Sequence, residues 1–434
     1  MRSSMLKLLD DRSRSGRPVR VALVGAGTFG SMLLGQARRL TGLEVVCVAD
    51  LDVDRARAAL ETAGFAPGEV ETTDDAFAAI ERDTIEVVVE ATGAPLPGVA
   101  HALAAIERGR HVVMVNVEAD ALAGPALATR AREAGIVYSL AYGDQPALIC
   151  ELVDWARCCG FEPVCAGKGT KYLPSYHSIT PDTVWEHYGL SRAQIESGGL
   201  SPRMFTSFID GTKSAIEMAA VCNATGLVPQ AEGLRFPPAG RETLAHVCIP
   251  ETEGGTLSRT GTVEVVSSLE HDGRAVPGDL RWGVFVTFAA PSPAVADWFR
   301  AYGLATDPSG RFAALYRPYH LIGLEATISV LSAGLLGEPT GSPGAFLADV
   351  AAVAKRHLPA GTRLDGEGGH TVYGALVSAD RGVSDELLPI GLCDGLALRR
   401  AVRRGQLVTL DDVEPPASSK AFELRAGVTP DRHG

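Results

Sequence analysis

The chain has 434 residues, of which 46% are hydrophobic and 21% charged. That length allows two to four domains of ~100–200 residues and is far above the size at which a core needs disulfides or metals. The composition excludes a disordered chain, a coiled coil and a collagen-like fibre, and no apolar run approaches the ~18 residues of a membrane span. A net charge of −12 argues against nucleic acid or an anionic membrane as partner, since both need basic patches. Residues 1–20 hold only the short apolar cluster Met5 to Leu9 and do not read as a secretory signal. Eight cysteines without C-x-x-C spacing predict reduced thiols and a cytoplasmic protein.

Val19 to Val24 reads as a buried strand, Gly25 to Gly30 as a glycine turn, and Ser31 to Leu40 as a helix. Further strands are expected at Leu43 to Ala49, Ile85 to Glu90, His111 to Val115 and Ile136 to Leu140, with helices at Leu96 to Arg108 and Pro125 to Glu133. Strands alternating with helices predict a Rossmann-type, doubly wound α/β domain over residues 1–160. Residues 161–200 read as irregular, and a single helical stretch follows around Phe205 to Ala224. Strand-like runs at His246 to Ile249, Gly261 to Leu269 and Trp282 to Ala289 complete an α+β substrate and oligomerisation domain over 161–317, built on an open sheet. Leu321 to Leu336 reads as a long apolar helix within a return segment, about 318–337, that covers the first domain. Residues 345–434 read as a small β-rich module with a frayed tail from Pro415.

The turn Gly25-x-Gly27-x-x-Gly30 follows a strand and opens a helix, and Asp50 lies 20 residues beyond Gly30 at the end of the next strand. Gly25 serves the tight turn, Gly27 admits a pyrophosphate, and Gly30 lets helix and strand pack closely. Thr28 and Phe29 belong to the same turn. Asp50 suits the ribose hydroxyls of NAD, whereas Arg55 and Arg57 could hold the 2′-phosphate of NADP or stand as solvated charges; the preference stays open. Thr92, Gly93 and Asn116 fall at carboxyl ends of strands, where open α/β sheets place ligands, and are expected on the nicotinamide side. Glu118 is either a neighbour of that site or a helix-start residue.

The chain has 34 Arg and only 6 Lys, and Lys168, Lys171 and Lys213 fall within 46 residues. Only Lys can lose its proton near neutral pH when desolvated. Lys168 and Lys171 lie in a glycine-rich turn, Ala166 to Tyr172, suited to a substrate phosphate or carboxylate, or to a solvated hinge. Asp210, Lys213 and Glu217 stand at i, i+3 and i+7 and share a helical face. A Lys between two carboxylates is a credible proton donor to a carbonyl receiving hydride; the same carboxylates could chelate a divalent cation, or form a salt-bridge ladder. His177, Glu186 and His187 show no metal-ligand spacing. Cys158-Cys159 reads as a pair of ordinary core thiols rather than a redox site. Arg317 and His320 precede the return helix and are candidates for contact with substrate.

The segments G-A-G-T-F-G, A-G-K-G-T-K-Y, F-I-D-G-T-K-S and R-P-Y-H-L resemble the homoserine dehydrogenase-like oxidoreductases, and more narrowly the 1-deoxy-D-xylulose 5-phosphate reductoisomerase-like enzymes. The C-terminal module resembles the SAF domain. The resemblance implies Lys213 as proton donor, Asp210 and Glu217 as its supports, and Lys168 and Lys171 near the substrate. It further implies NADPH, against which Asp50 argues for NAD, and Mg²⁺ or Mn²⁺ in the reductoisomerase reaction. The expected substrate is a small phosphorylated or carboxylated carbonyl compound, and the expected assembly a homodimer or higher homo-oligomer. Two other functions stay open: oxidation of an amino alcohol, as by homoserine dehydrogenase, and non-catalytic binding of a nucleotide or sugar.

Overall fold

A computed structural model describes residues 4–191, 194–195, 200–415 and 419–431. The chain divides into two compact units. The first takes in Met1–Glu151, His320–Gly344 and Ser419–Val428; the second takes in Leu152–Tyr319, Ala345–Ser418 and Thr429–Gly434.

In the first unit, helix α1 (Met5–Arg14) leads into strand β1 (Val19–Val24). There follow α2 (Thr28–Ala37), β2 (Leu43–Ala49), α3 (Val53–Thr62), β3 (Glu71–Thr73), α4 (Ala76–Ile80), β4 (Val87–Glu90), α5 (Pro95–Glu107), β5 (His111–Met114), α6 (Val117–Glu133) and β6 (Tyr138–Leu140). The six strands form one parallel sheet in the order β3-β2-β1-β4-β5-β6. That is the doubly wound Rossmann order, whose switch point lies between the carboxyl ends of β1 and β4. The central strands are continuous apolar runs because helices cover both faces of a parallel sheet. Val21, Leu23, Val87, Val89 and Val113 join Leu33 and Leu34 of α2 in one core, with Ala326 and Val330 of the return segment.

Three features of this unit depart from the sequence reading. Helix α6 starts eight residues earlier than Pro125, because the Asn116 side chain caps it by accepting from the Ala119 N–H (3.0 Å). It runs on through Pro125. The return helix begins only at Thr327, continuing as a π-helical turn over Ser332–Leu336. Gly323 (φ +76°) breaks the chain before it and packs on Met32 and Phe29 of α2. The tail is not frayed throughout: Lys420–Ala426 is a helix capped by Ser419, with Ala421 and Leu424 buried, lying against α5 and α6.

The chain leaves the first unit within α7 (Gln145–Cys158) and enters β7 (Glu162–Thr170); Cys158 and Cys159, where α7 ends, are exposed and not the core thiols expected from the sequence. Together with β8 (Thr262–Ser267), β9 (Val284–Ala289) and β10 (Phe312–Arg317) it forms a sheet of order β10-β9-β7-β8, parallel only between β7 and β8. The segment read as a glycine-rich turn is thus, up to Thr170, an interior strand. Its glycines serve close approach rather than mobility: a Cβ at Gly167 would stand 1.7 Å from the Glu264 carbonyl oxygen, and one at Gly169 1.9 Å from that of Leu280. Every residue of β8 and β9 is buried, and the sheet is open in order, with β10 and β8 at its edges.

His246 to Ile249 is not a strand either. Leu244–Val247 is a short helix whose Leu244, with Cys248 and Ile249, fills the core around this sheet. The long helix expected around Phe205 to Ala224 is two, α8 (Pro202–Ile209) and α9 (Thr212–Thr225). They are divided by Gly211, whose φ of +95° is left-handed and ends one helix while starting the next. In the C-terminal module the antiparallel pair β11 (Ala348–Ala354) and β12 (Val372–Ser378) is extended by isolated bridges from β11, Ala351 to Pro389 and Val353 to Leu407.

Candidate functional site

The first unit builds a cradle from backbone. Gly25 sits at φ +100°, where a Cβ would lie 2.7 Å from the Ala91 carbonyl carbon. A Cβ on Gly30 would meet the Gly25 carbonyl oxygen at 2.3 Å. Gly27 differs: its φ of −69° suits any residue, and a Cβ there would meet nothing within 4 Å. It caps α2 with no side-chain hydrogen bond, so the first N–H groups of the helix, Thr28 and Phe29 among them, have no side-chain cap. An uncapped helix start below open space is a seat for an anion such as a pyrophosphate. These residues therefore fit a dinucleotide.

Beside the turn, the buried Asp50 carboxylate accepts from the Ala26 N–H (2.7 Å) and the Asp52 N–H (2.9 Å). It also accepts from Arg55, through Nη2 to Oδ1 (2.5 Å) and Nε to Oδ2 (3.3 Å). Burial works to raise the Asp50 pKa, but the Arg55 and backbone donors outweigh it and hold the carboxyl below its usual range. Arg57 pairs with Asp54 on the exposed face of α3 (2.9 Å).

At the end of β4 the fully buried Glu90 accepts from the Thr92 hydroxyl (2.5 Å) and lies 3.2 Å from His101 Nδ1. Asn116 Nδ2 donates to Thr92 Oγ1 (3.3 Å) and to the Ala94 carbonyl (2.9 Å). The structure thus ties Thr92 and Asn116 into one network, with Gly93 between them and their neighbours at φ +68°. Glu118 falls in the first turn of α6.

The second unit gathers charge by side chains. Lys168 on β7 is ion-paired and hydrogen-bonded to Glu217 on α9, with side-chain exposures of 7% and 2%. Asp210, fully buried between α8 and α9, accepts from the Thr212 N–H (2.9 Å) and pairs with Lys355 of the C-terminal module (2.8 Å). Lys355 also donates to the carbonyls of Ile179 and Gly369, at 2.7 Å each. The two carboxylates expected to flank Lys213 thus hold two other lysines. Gly211 is the reason for Asp210: the helix break takes its side chain off the face that Lys213 and Glu217 share. Lys213 itself is half-buried, one turn ahead of Glu217 on α9.

His177 closes the cluster. Its Nδ1–H donates to the Asp210 carbonyl (2.7 Å), its Nε2 accepts from the Tyr172 hydroxyl (2.7 Å), and its ring stacks on Tyr373 at 4.2 Å. Burial lowers the His177 pKa, outweighing the Asp210 carbonyl and carboxylate, and the two bonds match the tautomer with its proton on Nδ1. Lys171 donates to the His187 carbonyl. Arg317 ends β10 with its guanidinium 5.1 Å above Tyr319, and His320 opens the return segment of the first unit.

Among the described residues no group of three or more His, Cys, Asp and Glu side chains is placed to hold a metal ion. No described helix is long and apolar enough to cross a membrane. Sequence reasoning missed Lys355, the stacking of His177 on Tyr373, and Glu264. This last is a buried carboxyl on β8, pushed up to about 7 by burial against donors at Val265, Phe236 and Arg235. The scarcity of lysine was the one signal that could have found Lys355.

The sheet order and the glycine turn define a Rossmann-type dinucleotide-binding chain. Residues 23–140 match the homoserine dehydrogenase NAD binding domain, residues 143–326 the catalytic domain of oxidoreductase DRL, and residues 349–414 the SAF domain. The three matches follow one another in that order along the chain. It is 35% identical over 109 residues to a homoserine dehydrogenase of Methylobacillus glycogenes, a stretch that is 23% of this chain and 25% of that protein. Among solved structures it is similar to myo-inositol dehydrogenase from Lactobacillus casei, solved with NAD(H) and myo-inositol (17% identity, 38% of this chain, 50% of that chain, TM-score 0.29). It is also similar to a 3-ketoreductase from Actinomadura kijaniata, solved with NADP and TDP-benzene (24% identity, 36% and 48%, TM-score 0.26). The chain thus spans a quarter of the length of the curated relative and half or less of these solved chains.

Proposed function

We propose that the chain is an NAD(P)H-dependent oxidoreductase that reduces a small polar carbonyl compound, and that this compound is a sugar phosphate of the 1-deoxy-D-xylulose 5-phosphate kind. The observation that carries the reading is the backbone cradle: an uncapped helix start at Gly27 beneath open space, with Asp50 and Arg55 beside it. The match to an oxidoreductase catalytic domain over residues 143–326 supports the second half of it.

Reduced nicotinamide, when bound, supplies a hydride. Everything else falls to the chain. As a carbonyl carbon gains a hydride its oxygen gains negative charge, and Lys213 is the group read as giving that oxygen a proton. Glu217 and Lys168, too buried to lie open to solvent, fix the helix face from which Lys213 projects. In a reductoisomerase step the C–C bond next to the carbonyl breaks and reforms, and enolate charge develops at the same oxygens; cations aimed there stabilise it. Asp210 and Glu217 each hold a lysine instead of standing free as ligands, so the residues here do not fit a metal ion and no step is assigned to one.

Arg55 bears on the choice of cofactor. All the bonds that a ribose would seek from Asp50 are directed at protein donors, two of them from Arg55. A guanidinium in that position favours the 2′-phosphate of NADPH over the free hydroxyl of NADH. The test is dinucleotide binding by fluorescence titration. The chain should bind NADPH with micromolar affinity, and Gly27→Trp, which the backbone tolerates, should abolish binding while leaving thermal unfolding unchanged. Equal binding in Gly27→Trp would overturn the reading.

A further inference from the structure

We propose that the C-terminal module holds the first turn of α9, and with it Lys213, in place for proton transfer, and that Lys355 is the positioning residue through which it does so. The proposal rests on the reading of Lys213 as proton donor, and its test tells the two apart.

Helix α9 depends on its neighbours on every side. All its residues except Lys213 and Ala224 are buried, so other elements must wall it in all round. Strands β7 and β8 supply one wall, and β11 and β12 of the C-terminal module supply another. Lys213 is the second residue of the helix, in the turn whose N–H groups have no intrahelical acceptor. Gly211 before it brings no side chain to cap that turn, and a cation there is set against the helix dipole. Left to itself, this turn is the part of α9 that frays.

The module meets the turn at two points. Thr212, the first residue of the helix, accepts through its hydroxyl from the Gly374 N–H of β12 (2.9 Å). A Cβ on Gly374 would crowd the Thr212 methyl at 3.0 Å and a Val350 methyl at 2.8 Å, so glycine permits this approach. The second point is Asp210. One of its carboxylate oxygens accepts from the Thr212 N–H (2.9 Å), and the other lies 2.8 Å from the Lys355 ammonium.

The side chains of Lys355 and Asp210 are 2% and 0% exposed. With the Ile179 and Gly369 carbonyls at 2.7 Å each, the ammonium has an oxygen neighbour for each of its three protons and none left for a ligand. Its part is to fix Asp210, and Asp210 in turn fixes the N–H next to Lys213. The far end of α9 is fastened separately, where the Asn223 side chain accepts from the Leu347 and Ala348 N–H groups (2.8 and 3.0 Å). Loss of Lys355 therefore releases the first turn and leaves the rest of the helix anchored.

The test compares the native chain with Lys355→Met and with the double variant Asp210→Leu/Lys355→Met, in which neither partner is left as a lone buried charge. Oxidation of NADPH with 1-deoxy-D-xylulose 5-phosphate is read beside thermal unfolding and hydrogen exchange. Lys355→Met should lower kcat by about 10²-fold, the cost of a misplacement on the order of 1 Å, with KM and NADPH affinity unchanged. The double variant should regain the native unfolding temperature but keep the low kcat. In both variants the amides of residues 212–216 should exchange faster than in the native chain. Recovery of kcat together with the melt would make the pair a matter of stability alone and overturn the proposal. So would unchanged exchange at 212–216 in both variants. If the native chain binds NADPH but turns nothing over, the reading of its substrate fails, and exchange alone decides the positioning role.

Discussion

The two units handle charge in opposite ways. The first presents backbone: a glycine turn, an uncapped helix start and one carboxylate already bound by four donors. The second presents side chains, with lysines sunk into the fold and each neutralised by its own carboxylate. A backbone cradle tolerates little change in shape and is indifferent to most side-chain chemistry. A buried ion pair tolerates repacking but not the loss of one partner, since a lone buried charge costs far more than the pair contributes. Substitutions should therefore fail for different reasons in the two halves.

The largest effect is expected at Lys213. Lys213→Met should lower kcat by about 10²–10⁴-fold, the range of a lost general acid, with NADPH affinity and unfolding temperature preserved. Steady-state kinetics beside a thermal melt check both. Lys168→Met should act mainly on stability, by about 3–5 kcal/mol, because Glu217 is left buried and unpaired. Adding Glu217→Leu should recover most of that loss in urea unfolding; no recovery would mean the pair is not what holds α9 against β7.

In the first unit, Gly27→Val is expected to weaken NADPH by about 100-fold with a normal melt, because its Cβ enters the space above the helix start. Gly30→Ala should lose folding and binding together, since its Cβ meets the Gly25 carbonyl. Identical outcomes for the two glycines would break the distinction between cradle and packing.

Each unit also holds a buried carboxyl with a raised pKa, and Asp120 is the cleaner probe. Burial pushes it up to about 7 against the bond from the Tyr138 hydroxyl. Its folded pKa exceeds its unfolded one, so the stability it contributes is full below about 4 and is lost as pH rises through about 7. Asp120→Asn should therefore gain about 2–3 kcal/mol on the native chain between pH 5 and pH 8, read as the change in denaturant midpoint. The smallest effect is expected at Arg55: Arg55→Ala should shift the ratio of NADPH to NADH affinity toward NADH by about tenfold.

The difference between the units also decides what could be read from the sequence. Gly25, Gly27, Gly30 and Asp50 lie within one βαβ unit, and the tight turn, close packing and strand end dictate their residue types locally. The β order followed from the alternation of apolar runs. The second site is assembled from residues 168, 177, 210, 217 and 355, which no local pattern joins. Lys168 and Lys171 read as part of a glycine-rich turn because glycines usually mark turns. Here Gly167 and Gly169 are needed because neighbouring backbone comes too close for a Cβ. The spacing of Asp210, Lys213 and Glu217 promised one helical face, but Gly211 at φ +95° sends Asp210 to Lys355. A glycine can sit inside a helix or break it, and only its tertiary neighbours decide. The C-terminal helix escaped notice for a related reason: Ala421 and Leu424 are too sparse to signal an apolar face until α5 and α6 are there to cover them.

The most direct measurement mixes the native chain with NADPH or NADH and 1-deoxy-D-xylulose 5-phosphate and follows the nicotinamide absorbance, with Gly27→Trp and Lys213→Met in parallel. The account predicts substrate-dependent oxidation in the native chain, none in Gly27→Trp for want of cofactor, and none in Lys213→Met despite normal cofactor binding. Native chain that binds neither nucleotide, or Lys213→Met that turns over at the native rate, would contradict it.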